Sequence, residues 1–155
     1  MSWTDLLTTI GTSAVTSIVF AGGTNYYLQK KNRKGNAIEK YGYELIDKIE
    51  VINDERNKAI ASLVLGSQFQ KNDLLSLQND FNKHFTDFKN FLVKHRHLFN
   101  KKTNELLDSY IDYLKTLNTE LDSLIDGKDL LVNINNNEKN KLSETIINEI
   151  KKQFK

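Results

Sequence analysis

The sequence contains 3 histidines and 20 carboxylates, which are the side chains that could bind a metal ion or act as an acid or base in catalysis. Cysteine, the other common metal ligand and nucleophile, is absent. His84 and His95 would share one face of a helix but lie about 16 Å apart, which is too far for a common metal ion. His97 would point to a different side of that helix. The sequence has no zinc-protease, phosphate-loop or serine-hydrolase motif. We therefore predict a protein without a catalytic site, a metal site or a cofactor.

The charges are nearly balanced. With 22 basic and 20 acidic residues the formal net charge is only +2, which argues against a nucleic-acid partner. Many carboxylates stand four residues from a lysine, as in Glu44–Lys48 and Asp54–Lys58, so we expect ion pairs on solvated helix faces. Proline is absent, and turn-rich β folds and proline-rich linkers depend on it. The composition therefore favours a largely helical chain.

The first part of the chain has no charged residue between Leu6 and Gln29. As a helix this stretch would be about 36 Å long, and the hydrocarbon core of a bilayer is about 30 Å thick. Trp3 precedes the stretch, and Tyr26 and Tyr27 lie at its end, where aromatic rings favour the headgroup layer. The pattern predicts one N-terminal transmembrane helix, although serine and threonine make its apolar density modest.

A basic cluster follows this stretch directly and consists of Lys30, Lys31, Arg33 and Lys34. The positive-inside rule places the N-terminus outside and the later residues in the cytoplasm of a single-pass cell-membrane protein, with the cluster against lipid headgroups. The leader MSWTD has no basic residue, which excludes a cleaved signal peptide. Two alternatives stay open because hydroxyl groups are frequent: a helix lying on the membrane surface, and a core helix of a soluble protein.

Small side chains recur at helical spacing within the uncharged stretch, and the row contains Thr9, Ser13, Ser17 and Ala21. Such rows let two helices approach closely. We therefore predict that the membrane helix associates through this face and that the protein is a homo-oligomer. A plain anchor, or a pore lined by the hydroxyl groups, would have the same spacing.

Two further segments carry apolar seams at steps of three and four. One seam contains Leu74, Leu77, Phe81, His84, Phe88, Phe91, His95 and Leu98, and the other contains Leu107, Tyr110, Leu114, Leu117, Leu121 and Leu124. The link between them is short, so we predict an antiparallel helical hairpin in which Asn100 or Thr103 is the N-cap and Gly127 ends the second helix. The residues predicted to form the hairpin seam or to contact a partner are Phe81, Phe88, Phe91, Leu114 and Leu117.

The predicted fold is all-α. It has a transmembrane anchor with a basic stop over residues 1–34 and, over 35–155, a cytoplasmic antiparallel bundle or hairpin of about four helices, the first over about 36–65 and the last from about Glu138. This layout resembles short membrane-anchored helical proteins of low-GC Gram-positive bacteria and of their phages and plasmids. Some of those proteins act in bacteriocin immunity or phage exclusion, so the resemblance implies a role in antiviral defence or immunity.

We predict a non-catalytic, membrane-anchored helical protein that contacts membrane lipids and binds an unidentified protein partner or itself, because tethering makes weak helix contacts sufficient. Two alternatives belong to other functional classes. One is a membrane-perturbing effector that oligomerises through a hydroxyl-lined helix. The other is a soluble helical-bundle regulator.

Overall fold

The chain forms four α-helices within the residues described by the computed structural model. They are α1 (Trp3–Leu65), α2 (Lys71–His95), α3 (Lys101–Ile125) and α4 (Asn136–Lys151). Short 3-10 turns follow α2 at Arg96–Leu98 and α4 at Lys152–Phe154. The structure describes residues 3–65, 69–128 and 136–154, and the side chains of residues 26–65, 69–128 and 141–154. No residue of these ranges is in a β-strand, so the all-α prediction is confirmed.

The predicted transmembrane helix requires a correction. α1 does not end at the basic cluster but continues to Leu65, and none of the helices in the described part of the chain is both long and apolar enough to cross a membrane. The prediction relied on the uncharged stretch from Leu6 to Gln29, its length, the aromatic residues at its ends and the basic cluster that follows it. Absence of charge is necessary but not sufficient, because hydroxyl groups and glycines lower the apolar density that a bilayer core requires.

The same finding overturns the predictions that depended on the span. These are the single-pass topology, the location in the cell membrane, and the placement of the N-terminus outside and of the later residues in the cytoplasm. The alternative of a pore lined by a transmembrane helix required the same span and falls with it.

The chain divides into two compact units, Met1–Ala37 and Ile38–Lys155. In the first unit, every described side chain from Tyr26 to Asn36 is exposed. In the second unit, the residues of α1 after Ala37 pack with α2, α3 and α4 around a common apolar core. The predicted helical bundle is thus confirmed for the second unit.

Helices α2 and α3 form an antiparallel hairpin. Gln78, early in α2, donates a hydrogen bond to Asp122, late in α3. Arg96, at the end of α2, pairs with Asp108, early in α3. The two contacts progress in opposite directions along the two helices, as an antiparallel pair requires.

The ends of α3 use the two devices that the sequence predicts. The side chain of Asn100 accepts a hydrogen bond from the backbone N–H of Thr103 at 2.8 Å, which satisfies one of the free donors of the first turn. Gly127 has φ +69°, the left-handed conformation that commonly follows the last turn of a helix. An L side chain at that position would be strained.

The core of the second unit combines the hairpin with one face of α1 and of α4. Its largest fully buried side chains are Leu45, Ile49, Ile52, Phe81, Phe88, Leu107, Tyr110, Leu114, Leu117, Leu121, Ile146 and Ile150. Burial of each aliphatic or aromatic side chain stabilises the fold by about 1.5–3 kcal/mol relative to exposure. Phe85, Tyr113 and Phe99 are also buried in this cluster although they lie outside the predicted seams.

A buried phenol joins α3 to α1. The Tyr110 hydroxyl donates to Asn53 Oδ1 at 2.6 Å, while the Tyr110 side chain is fully buried. Burial raises the pKa of Tyr110 above its ordinary range, and the nearby positive charge of Arg56 offsets only part of that increase. Burial raises the pKa of Tyr113 as well, again against the effect of Arg56.

Helix α1 approaches the C-terminal end of the chain most closely at Gly42. A methyl group there would overlap Phe154 Cε1, and it would lie 2.7 Å from Phe154 Cζ and 3.1 Å from Ile150 Cγ2. Phe154 also packs against Tyr43, with ring centroids 4.8 Å apart. The missing side chain of Gly42 therefore makes a notch that the Phe154 ring fills.

The substitution Gly42→Ala should lower the free energy of unfolding by about 1–2 kcal/mol, because overlap with Phe154 outweighs the higher helix propensity of alanine. Urea unfolding followed by circular dichroism measures this change. Gly35→Ala is the matched control, since Gly35 also lies in α1 and an added methyl meets no atom within 4 Å. The control should be neutral or stabilising, and equal effects of the two substitutions would contradict the notch.

Alkaline pH should destabilise the fold through Tyr110 and Tyr113. In the unfolded chain these phenols lose their protons near pH 10.0, whereas the folded state retains them to higher pH. Their contribution to stability is complete below pH about 10 and is lost progressively as the pH rises toward the folded pKa. We expect the urea midpoint of the parent protein to fall more between about pH 9 and about pH 11 than that of Tyr110→Phe/Tyr113→Phe.

The control for this pH dependence is Tyr43→Phe, which removes a phenol on a residue that is 52% exposed. It should keep the pH dependence of the parent protein, including the part that lysine titration contributes. Identical pH dependence in all three proteins would show that the buried phenols play no part.

Candidate interaction surface

The two histidines on α2 occupy different surroundings. His95 stacks on Tyr41 of α1 with ring centroids 3.9 Å apart, and it lies 4.7 Å from the Phe91 ring. His84 is half-buried and lines a cleft between α1 and α2. Nowhere in the described ranges do three or more histidine, aspartate or glutamate side chains form a group that could hold a metal ion.

The cleft beside His84 has a volume of about 270 Å³. Its lining residues, which we call the acidic cleft, are Glu44, Asp47, Lys48, Val51, His84 and Asp87. Lys48 bridges the two helices, because its Nζ lies 2.5 Å from Asp87 Oδ2 and 5.6 Å from the centroid of the Phe91 ring. The remaining carboxylates, those of Glu44 and Asp47, belong to exposed residues, so water solvates them. This arrangement joins α1 to α2 and leaves a modest negative charge at the surface.

Contrary to the sequence prediction, neither Lys48 nor Lys58 pairs with the carboxylate four residues before it. Lys48 pairs with Asp87 of α2 instead of Glu44, and Lys58 pairs with Glu55, three residues away, at 2.8 Å. Sequence spacing describes only neighbours on the same helix. Asp87 is thirty-nine residues from Lys48 in the chain, so only the packing of α2 against α1 brings the two together.

The five predicted seam residues lie in the core of the second unit. Phe81, Phe88, Leu114 and Leu117 are fully buried, and Phe91 is more than nine-tenths buried. Phe88 meets Tyr110 edge to face, with ring centroids 6.1 Å apart. These side chains hold α2 against α3 and α1, so they are not available to a partner while the bundle is folded.

The residues predicted to associate membrane helices, Thr9, Ser13, Ser17 and Ala21, have side chains outside the described ones. The cluster predicted to contact lipid headgroups is described, and all four of its cations are exposed on α1. The role of the cluster must therefore be inferred from the residues around it on α1, and not from a membrane span.

Exposed aromatic and basic residues lie together on α1 between Tyr26 and Lys34. We name them the aromatic–basic surface, and its members are Tyr26, Tyr27, Leu28, Lys30, Lys31, Arg33 and Lys34. With 3.6 residues per turn, all but Leu28 fall within an arc of about 160°. Lys30 and Lys31 follow the two tyrosines at a spacing of four, so each aromatic ring has a cation on the next turn. The surface thus presents rings and cations on one side of the helix.

The four cations of this surface have no acidic residue close to them in the sequence, and among the described side chains they form no ion pair. The sequence contains no aspartate or glutamate between Leu6 and Ile38, and among the described side chains the ion pairs of lysine and arginine begin at Lys48. Tyr26 is 70% exposed, Tyr27 67% and Leu28 52%. Apolar rings beside uncompensated positive charge are the features of a binding surface rather than of a plain solvated face.

The sequence analysis gave the two groups separate roles. It placed the tyrosines in the headgroup layer of a membrane, and it interpreted the cations as the basic cluster that ends a membrane span. A helical projection of residues 26–34 would have placed them on a common face. The acidic cleft could not have been found in this way, because its lining comes from two helices whose relative position depends on tertiary packing.

Neither a protein-family model nor a solved structure matches this sequence. The chain is 39% identical over 147 residues to the uncharacterized protein YqaR of Bacillus subtilis (strain 168). The match covers 94% of this chain and 96% of that relative. Similarity of this degree over nearly the full length of both chains establishes common descent, and it carries no activity over, since YqaR is uncharacterized. The chain belongs to the same family as YqaR.

Proposed function

We propose that this chain is a non-catalytic interaction protein that binds an acidic surface of a protein partner through its aromatic–basic surface. The observation that carries the proposal is the exposure of Tyr26 and Tyr27 beside four cations that have no acidic residue close to them in the sequence. Tyrosine and arginine are enriched in protein interfaces, and tyrosine is frequent among residues that contribute most to binding.

The chemistry of the surface favours a partner with acidic side chains around an apolar patch. Lys30, Lys31, Arg33 and Lys34 together carry four positive charges, which would accelerate encounter with an acidic surface and fix its orientation. Burial of the tyrosine rings would then supply apolar contact area. Charge alone would give a weak and salt-sensitive complex, so both parts of the surface are needed.

A protein fits this surface better than a nucleic acid does. The net charge of the whole chain is only +2, whereas nucleic-acid-binding domains usually carry a large basic excess. A short acidic and apolar protein surface needs to cover only residues 26–34.

A role in phage defence or immunity stays a prediction, since it depends on the resemblance of layout alone. The proposed function does not require it. An interaction protein of this kind could act by recruiting its partner or by masking it, and both begin with the same complex.

A photoreactive phenylalanine analogue placed at Tyr27 should form a covalent adduct with one discrete protein in cells that produce the full chain. Neutralising the cluster by Lys30→Ser/Lys31→Ser/Arg33→Ser/Lys34→Ser should reduce the yield of the adduct about tenfold or more, because charge attraction is lost. Mass spectrometry of the adduct identifies the partner. An adduct of twice the mass of this chain would identify the partner as a second copy.

The matched control carries the same analogue at Val93, an exposed position on α2 that is 84% accessible. It should give no discrete adduct, because it lies far in sequence from the cationic segment. Equal adduct patterns at Tyr27 and Val93 would refute the proposed surface. Adducts formed with lipid but with no protein would also refute it.

A further inference from the structure

We propose that the acidic partner of the aromatic–basic surface is the acidic cleft of a second copy of this chain, so that copies associate head to tail. This inference rests on the proposed function and names its partner. Two surfaces of opposite charge carry it, one from each unit of the chain, and each of them also has an apolar part.

The two units differ in the balance of their charges. The first unit contains four cations, those of the aromatic–basic surface, and one carboxylate, that of Asp5. The whole chain has 22 basic and 20 acidic residues, so the second unit is left with a slight excess of carboxylates. An excess of this size attracts cations only where the carboxylates are gathered.

The acidic cleft gathers three carboxylates, from Glu44, Asp47 and Asp87, around a single cation, Lys48. Lys48 pairs with Asp87. Glu44 and Asp47 are exposed, and neither forms an ion pair among the described side chains. Cations of another copy can therefore pair with these two carboxylates without displacing an existing ion pair.

The spacing of the charges matches between the two surfaces. Glu44 and Asp47 are three residues apart on α1, which places their side chains about 5–6 Å apart on one helix face. Lys30 and Arg33 have the same spacing on the aromatic–basic surface, and so do Lys31 and Lys34. Two helices lying side by side could therefore form two ion pairs at once.

The cleft also offers an apolar contact to a tyrosine ring. Val51 is 44% exposed and lines the cleft. The cleft volume of about 270 Å³ is smaller than the roughly 300–1,000 Å³ of pockets for separate small ligands, so it suits a side chain of a protein. The ring of Tyr26 or Tyr27 would pack on Val51 and donate its hydroxyl to a carboxylate. It would also exclude water from the neighbouring ion pairs, which strengthens them.

A contact between two different surfaces is heterologous. Each pair of copies keeps one unused surface of each type, so further copies can add until the assembly closes into a ring or grows as an open chain. The attraction should also depend on salt, because exposed charges are screened over about 10 Å at 0.1 M ionic strength.

Sedimentation equilibrium of the purified full chain tests this contact. The average mass should rise with protein concentration beyond that of a dimer, and about 0.5 M NaCl should lower the association constant about tenfold. Glu44→Gln/Asp47→Asn, the cleft variant, should lower it about tenfold or more at low salt, because two ion pairs are lost. A monomeric mass at every concentration that the protein tolerates would overturn the inference.

Mixing two variants distinguishes a head-to-tail contact from other modes of self-association. The cleft variant keeps the aromatic–basic surface, and the variant with all four cations replaced by serine keeps the cleft. Each variant alone should be monomeric. An equimolar mixture should form one-to-one pairs, because it retains one intact surface of each type. Absence of pairs in the mixture would overturn the head-to-tail contact.

The matched control is Asp80→Asn/Glu144→Gln. It also removes two negative charges, but from exposed positions of α2 and α4 that do not line the cleft. The control should associate like the parent protein. Loss of association equal to that of the cleft variant would show that only net charge matters, and would overturn the inference.

The adduct formed at Tyr27 in cells separates this inference from the proposed function. An adduct with a different protein, together with a monomeric purified chain, would support the proposed function and overturn the second copy as the partner. A missing adduct at Tyr27 would refute the proposed function, and this inference with it.

Discussion

The structure of the second unit depends on burial of one face of α1. Leu45, Ile49, Ile52, Ala59 and Leu63 are buried at steps of three, four and seven residues. The opposite face carries charges that remain in water. An isolated helix gains little from hydrogen bonds that water could also make, so the transfer of this apolar face from water supplies the main stabilisation. The apolar face of α1 packs against the hairpin of α2 and α3.

Polar contacts determine where α1 lies along the other helices of the bundle, and they contribute little to the stability of α1 as a helix. The hydrogen bond from Tyr110 to Asn53 and the ion pair of Lys48 with Asp87 both cross between helices at defined levels. An apolar face alone would allow neighbouring helices to slide by a turn at small cost. A fully buried phenol that needs one particular acceptor penalises such a shift, because the hydroxyl would be left without a partner.

The hairpin and its ends could be predicted because their determinants are local. Asn100 caps α3 and Gly127 ends it through contacts within a few residues. The transmembrane prediction was wrong because an uncharged stretch with aromatic flanks and a basic cluster does not by itself supply the apolar density that a bilayer core requires. The partner of Lys48 was missed for the opposite reason, since Asp87 is a neighbour only after folding. The notch at Gly42 could not be predicted either. In the sequence a glycine inside a helix is only a residue of low helix propensity, and its contact with Phe154 is known only from the structure.

Charge is distributed unevenly along α1, and this bears on why residues 26–34 are the candidate surface. From Glu39 onward acidic and basic residues are interspersed, and two of the lysines form ion pairs, Lys48 with Asp87 of α2 and Lys58 with Glu55. Before Ile38 the only charges after Asp5 are the four cations. Where both signs of charge are present on a helix, the side chains can form ion pairs within the fold. Where only cations are present, beside exposed aromatic rings, no carboxylate of the same segment can pair with them. The sequence could reveal that excess, but only the exposure of Tyr26 and Tyr27 distinguishes a binding surface from part of a core.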